Sequence, residues 1–309
     1  MRHEQFTVGR LYAEKIFDKN GSLLFPGPNP SGGQDYFVDL NTSNAYKDGL
    51  SWDSPCQTLA AAITKSNISI GLSKNRWWAR RNRIFVAGDG IEESLTVLPE
   101  KCDIVGVGAD LVPYPRIIGA HTIAVAKVGC RFINMGFQAT GTGDLFVIPA
   151  GCHGLQFLGG MMQPALAGNT KALEITDSAL VVVQGVRMVQ IPGAYGTGIF
   201  GIGVSIEGTA STHQILIDGN WINATVGVKC VENSPAYDGV ISNNFIHSVS
   251  YWVDDDSDRF HVINNRAITD IDCATYTAGF DFNLLLASGN LQTGSNAGDH
   301  DSVPHVLFA

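Results

Sequence analysis

The chain has 309 residues, a formal net charge of −9 and 35 glycines against 12 prolines, with 45% of its residues hydrophobic and only 16% charged. Soluble domains average about 25% charged residues, so this composition excludes a disordered chain and a charge-laced helical bundle. With 8 Glu and 9 Lys against 19 Asn, the sequence lacks the residues that fill exposed helix positions and is rich in those that turn the chain, which predicts an all-β protein.

Charge is unevenly placed. Residues 1–100 carry 11 basic and 11 acidic groups, residues 101–200 carry 6 and 5, and residues 201–309 carry 3 and 13. An acidic last third repels phosphate backbones, and no basic stripe interleaved with aromatics occurs elsewhere, so nucleic acid is excluded as a partner. No apolar run is long enough to span a bilayer, and MRHEQFTVGRLYAEK lacks the apolar segment of a signal peptide. The expectation is therefore a chain that folds in a cytoplasm and has no membrane partner. Cys56, Cys102, Cys130, Cys152, Cys230 and Cys273 contain no CxxC pair, and their density is too low for a disulfide scaffold. They read as reduced, buried thiols.

In chain order, residues 1–34 form an appendage. Ile16-Phe17 and Leu23-Leu24-Phe25 flank the turn signal Lys19-Asn20-Gly21, which predicts a short hairpin, and PGPNPSGG at 26–33 reads as a linker. YFVDL at 36–40 alternates as a strand. Ser54-Pro55-Cys56-Gln57 then has the pattern of a helix start, with Ser54 as N-cap and Pro55 in the first turn. Leu59, Ile63 and Ile70 recur at helical spacing behind it, so the segment 55–70 is predicted to be one amphipathic helix.

From Arg83 onward strand-like runs repeat. The dipeptides Met135-Gly136, Gly159-Gly160, Gln184-Gly185, Gly219-Asn220, Asn243-Asn244, Asn264-Asn265 and Gly289-Asn290 align, and their second members recur at intervals of 24, 25, 35, 24, 21 and 25. Only Gly and Asn occupy that second position, so it is expected to be a left-handed bend recurring once per repeat. The long interval contains the Gly-rich run IPGAYGTGIFGIGVSIEGTAST, which reads as an insertion.

A period near 24 with several short strands and no helix predicts a parallel β-helix, in which equivalent side chains of successive coils stack. Asn220, Asn244, Asn265 and Asn290 should then form a hydrogen-bonded ladder, and Cys130 and Cys152 should be core neighbours. The helix at 55–70 is the natural cover for the open end of such a solenoid.

YFVDL at 36–40, DGLSWDSPCQTLAAAI at 48–63, RIFVAGDGIEESLTV at 83–97, CDIVGVGAD at 102–110 and GCRFINMGF at 129–137 together resemble the pectate-lyase-like superfamily of right-handed parallel β-helices, and in particular the β-helical virion proteins of tailed bacteriophages. The resemblance covers roughly residues 35–291. It implies an N-terminal docking arm and linker at 1–34, an opening strand and capping helix at 35–82, a single-stranded β-helix at 83–291 and a tail at 292–309. The fold serves lyases, hydrolases, tailspikes and passive virion parts alike, so it does not assign an activity.

The lyase motifs of that superfamily, an Arg-containing loop and a Trp-Ile-Asp-His segment, are absent. Of the polygalacturonase motifs, only Cys152-His153-Gly154 and Asp254-Asp255-Asp256 bear a likeness, about four coils apart. Two carboxyls acting on one glycosidic bond must lie about 5–9.5 Å apart, which that separation forbids. Glu232, Asp256 and Asp281, each about one repeat beyond the last, are expected to stack in a column, with Asp254 and Asp258 on the same strand face. Such a column would be a calcium site, a glycosidase pair or a solvated acidic face; the last is the reading adopted. Arg259, His261 and Arg266 lie beside it as ion-pair partners or catalytic groups. His121, His153, His213, His247 and His261 have no ligand-type neighbour at i+2 or i+4, and His300 and His305 lie in a polar tail. Trp77-Trp78 before Arg80-Arg81 could stack on sugar, or lie against the helix or another subunit. No catalytic residue, cofactor or metal is assigned.

The function that follows is a non-enzymatic structural protein of the phage virion, assembled in the host cytoplasm. It is expected to be a homotrimeric capsid decoration or cement protein that docks on the major capsid protein or another virion protein through residues 1–34. The alternative is a tailspike or tail fibre that binds or depolymerises a surface glycan, or an adhesin that binds one without turnover.

Overall fold

The computed structural model describes residues 16–17, 23–25, 32–42, 48–72, 80–108, 115–165, 168–189, 198–208, 214–231, 239–255, 260–269, 287–288 and 291–294. Two long sheets make up most of it, and every strand pair in them is parallel. The first sheet has ten strands, which begin at the edge with Asp35–Asp39 and continue through Asn82–Ala87, Cys102–Gly106, Arg131–Ile133, Gln156–Leu158, Val182–Gln184, Ile215–Asp218, Gly239–Ser242, Phe260–Ile263 and Ala287–Ser288. Each strand pairs with its counterpart one repeat away, as in Phe132 between Ile104 and Phe157. The only antiparallel pair among the described residues is the predicted hairpin, Ile16–Phe17 with Leu23–Phe25.

The second sheet has thirteen strands in two rows. One row runs from Ile91–Glu92 through Arg116–Ile118, Gly136–Gln138 and Met161–Gln163 to Arg187–Met188. The other runs from His121–Thr122 through Phe146–Ile148 and Asn169–Thr176 to Phe200–Glu207. Both rows join on the ten-residue strand Trp221–Cys230, which pairs with Arg187–Met188 by its first residues and with Phe200–Glu207 by the rest. Phe245–Asp255 continues both, and Arg266–Thr269 and Leu291–Gly294 follow. This all-β, all-parallel stacking is consistent with a parallel solenoid.

The sheets enclose one core, built from the inward residues of each strand and extending from Tyr36 to Ala267. Phe132, Phe137, Phe146 and Phe157 pack there with ring centroids between 5.1 and 6.5 Å apart. The five described cysteines are buried thiols. Cys130 lies one residue before Arg131, which pairs with Asp103, so its counterpart one strand earlier is Cys102; Cys152 lies near enough to bear on its ionisation. Burial pushes the Cys130 thiol well above its ordinary pKa and the Cys102 thiol up to about 12, so both stay protonated and inert.

The structure corrects three expectations. First, the helix (α1) spans Leu59–Gly71 and its N-cap is Thr58, whose side chain accepts the Ala61 N–H. Ser54 instead caps the preceding loop by accepting the Asp48 N–H, while Cys56 bridges to Val38 in the edge strand. The capping-box pattern therefore sits one turn too early, because the extended pairing of Cys56 outweighs the local helix signal. Leu59, Ala62, Ile63, Ser66 and Ile70 form the buried face of α1, and the Tyr36 hydroxyl and the Asn82 amide tie it to the two outermost strands of the first sheet.

Second, the left-handed bend falls at Asn134, Gly159, Gly185, Gly219, Asn243 and Asn264, with φ between 52° and 67°. It is the first member of four aligned dipeptides and lies just before a fifth; among the described residues the expected second position is left-handed only at Gly185 and at Gly160, where φ is 88°. Third, the Gly-rich run is no simple insertion, because Phe200–Glu207 is a regular strand inside the second sheet. A Cβ at Gly203 would meet the Gly227 carbonyl oxygen at 2.5 Å, so glycine there permits close strand approach.

Candidate functional site

The stacking places Asn220, Asn244 and Asn265 directly above one another in the core, in agreement with the repeat. Asn220 Nδ2 donates to Asn244 Oδ1 and Asn244 Nδ2 to Asn265 Oδ1, each at 2.9 Å. Asn290 lies outside the described residues.

Of the acidic column, Glu232, Asp256, Asp258 and Asp281 lie outside the described residues, as do Arg259, Trp77 and Trp78. Asp254 is described and is bound by the Lys229 ammonium at 2.6 Å. Trp221 pairs with Phe245 and Lys229 with Asp254, and an irregularity between Ala224 and Val226 lengthens the pairing offset by one position between those two pairs. A fixed repeat spacing therefore does not carry through this part of the sheet. His261 and Arg266 are exposed. His153 is also exposed, and its Nδ1 accepts the Ala179 N–H across one coil. His121 is fully buried between Phe137 and Phe146; its Nδ1 accepts the Leu95 N–H and its Nε2 has no partner. Desolvation lowers its pKa to about 4, so it is a neutral core residue at ordinary pH.

Charged side chains on the outer faces link successive coils. Arg83 grips Asp35 through Nε and Nη2 at 2.8 and 2.6 Å, and Arg131 grips Asp103 in the same two-pronged way. Asp103 also takes Arg81, and Asp89 takes Arg116. Such forked pairs fix the register between coils as well as neutralising charge.

The densest polar cluster lies on the second sheet. Lys171 Nζ contacts Glu174 Oε2 and Glu207 Oε1, both at 2.5 Å, and Ser205 donates to the same Glu207 oxygen at 2.7 Å. Burial works against both charges, yet the hydrogen bonds from Lys171 and Ser205 hold Glu207 below its ordinary pKa, and those to Glu174 and Glu207 hold Lys171 above its own. Asp144 lies beside them with its pKa raised by desolvation, and its Oδ1 has no partner. With Lys171 lying between the two glutamates, this is an ion-paired brace between coils. Among the described residues, no group of His, Cys, Asp and Glu could hold a metal ion.

One surface lies outside the expectations drawn from sequence. Arg187, Trp221, Phe245 and Arg266 form a column across four strands of the second sheet, paired in register. Trp221 is 51% exposed and Phe245 36%, and their rings meet edge to face with centroids 5.6 Å apart. The sequence does carry a signal for it, because Trp221, Phe245 and Arg266 each directly follow a ladder asparagine.

Compared with known proteins, the chain matches no family model and no curated protein.

Proposed function

We propose that the chain is a right-handed parallel β-helix that serves as a non-enzymatic structural protein of a tailed-phage virion, built as a homotrimer and docked as a capsid decoration protein through residues 1–34. The observation that carries this reading is the use made of the polar side chains. The asparagine column, the Arg83–Asp35 and Arg131–Asp103 forks and the Lys171 brace all join one coil to the next. Side-chain chemistry of this kind makes a rigid rod, as a load-carrying particle component requires. The resemblance of roughly residues 35–291 to β-helical virion proteins supports the same reading, and the hairpin of Ile16–Phe17 with Leu23–Phe25 gives the proposed arm an element of its own.

Quantitative mass spectrometry of particles released by cells carrying this gene tests it. Hundreds of copies per particle are expected, and loss of residues 1–34 should abolish incorporation. A chain present in the lysate but missing from particles overturns the reading; fewer than about twenty copies per particle moves it to the tail. Continued incorporation of the shortened chain refutes the arm.

A further inference from the structure

Trp221 and Phe245 stand in register on neighbouring strands, and Val249, 37% exposed, follows Phe245 on the same strand. Arg187 and Arg266 bracket the aromatic pair at either end of the column. These two arginines differ from the others on the sheets. Arg81, Arg83, Arg116 and Arg131 each hold an aspartate, whereas Arg187 and Arg266 make no ion pair among the described residues. That is notable for Arg266, one of 3 basic residues set among 13 acidic ones in residues 201–309.

Exposed tryptophan and phenylalanine with arginine beside them is the composition of an interface hot spot, an apolar centre with a charged rim. Guanidinium groups without an ion-pair partner among the described residues, one at each end, ask for a surface that brings carboxylates. The sequence of this chain supplies carboxylates in excess, with a net charge of −9 and 13 acidic against 3 basic residues in 201–309. We propose that the Arg187–Trp221–Phe245–Arg266 column is a self-association face whose occupant is a second copy of this acidic chain. The proposal rests on the reading of the protein as a homo-oligomer and names the surface that holds the copies together.

Sedimentation velocity of the purified full chain over a concentration and salt series tests it. Native protein should self-associate. Trp221→Ala alone, and Arg187→Glu with Arg266→Glu, should each weaken the association at least about 30-fold, the tenfold-per-1.4 kcal/mol equivalent of losing one hot spot. Because these side chains lie outside the core, circular dichroism should not change. The native association should also weaken with salt, a dependence the double arginine variant should largely lose. A native protein that is monomeric throughout the series overturns the proposal, and so does an oligomer that neither variant weakens. A monomer whose tryptophan emission shifts with an anionic oligosaccharide, and does not shift after Trp221→Ala, also overturns it, in favour of a saccharide site. A chain found in particles yet monomeric in solution would overturn this inference and the homotrimer while leaving the virion role intact.

Discussion

Asn244 gives both its backbone N–H and its side-chain Nδ2 to one oxygen of Asn265, at 3.0 and 2.9 Å, and in turn receives the same two bonds from Asn220. Its Nδ2 also reaches the Ile217 carbonyl of the preceding repeat at 3.0 Å. One amide thus satisfies three coils. Asn244→Leu keeps the volume but strands the Asn220 backbone N–H, leaves Asn220 Nδ2 with the Val183 carbonyl alone, and takes the side-chain donor from Asn265 Oδ1 in a dry interior. Each buried group left unpaired costs about 1–3 kcal/mol, so the expected loss is about 3 kcal/mol or more. Urea unfolding measures it, and a loss below about 1 kcal/mol would mean that the ladder does not hold the coils.

The left-handed bend before this ladder gives a sharper contrast. At Gly219, φ is 63° and a Cβ would meet nothing within 4 Å, while neighbouring coils place Asn243 and Asn264 at the same bend with φ 55°. Gly219→Asn should therefore change stability by no more than about 0.5 kcal/mol. Gly160 has φ 88°, and a Cβ there would run into the Met135 carbonyl oxygen. Gly160→Ala must shift backbone as well as accept strain, and should cost more than about 3 kcal/mol. Comparable losses in the two variants would contradict this account of the bend.

The parallel stacking and the asparagine ladder are legible in the sequence because the same bend chemistry recurs along it, and the hairpin and the helix because turn residues and helical spacing are local signals. The helix begins later than its sequence signal because Cys56 is claimed by a strand partner, Val38, that lies well before it in the chain. At Gly159, Gly219, Asn243 and Asn264 the bend sits one position before the aligned one, because Gly and Asn occur at both positions of those dipeptides and only the pairing register separates them. The Lys171 brace is not legible at all. Lys171 and Glu207 are 36 residues apart, and the strand that carries Glu207 reads in the sequence as an insertion. Trp221 and Phe245 are legible in principle, since the ladder asparagines before them share a column.

His121 predicts the acid response. In the folded chain burial depresses its pKa to about 4, against 6.5 for a free imidazole. The unfolded chain therefore takes up the proton first as pH falls. Stability is unaffected above about pH 6.5, declines between 6.5 and 4, and loses about 3 kcal/mol in total at 1.36 kcal/mol per pKa unit. His121→Phe removes this proton uptake at the expense of leaving the Leu95 N–H unpaired. The variant should be less stable than native protein at pH 7 by about 1–3 kcal/mol, with a flatter decline towards pH 4. Parallel slopes for the two proteins would assign the acid response to other groups.

The Lys171 brace predicts a pH-dependent coupling. Glu207 is held below its ordinary pKa, so the stability it contributes is present above the unfolded value of 4.5 and is lost as pH falls through the folded value. Lys171 is held above its ordinary 10.5, so its contribution is intact below that pH and lost only as pH rises through the folded value. Both ions are therefore fully engaged near pH 7. A double-mutant cycle of Lys171→Met and Glu207→Gln should give a coupling of about 1 kcal/mol there, since solvent still reaches both groups. The coupling should fall towards zero below the folded pKa of Glu207. In Lys171→Met alone, Glu174 and Glu207 lose the cation between them, and an NMR titration should find the Glu207 carboxyl shifted upward. A Glu207 titration unchanged by that substitution would show that Ser205 and the Lys229 charge, and not Lys171, hold the carboxylate ionised.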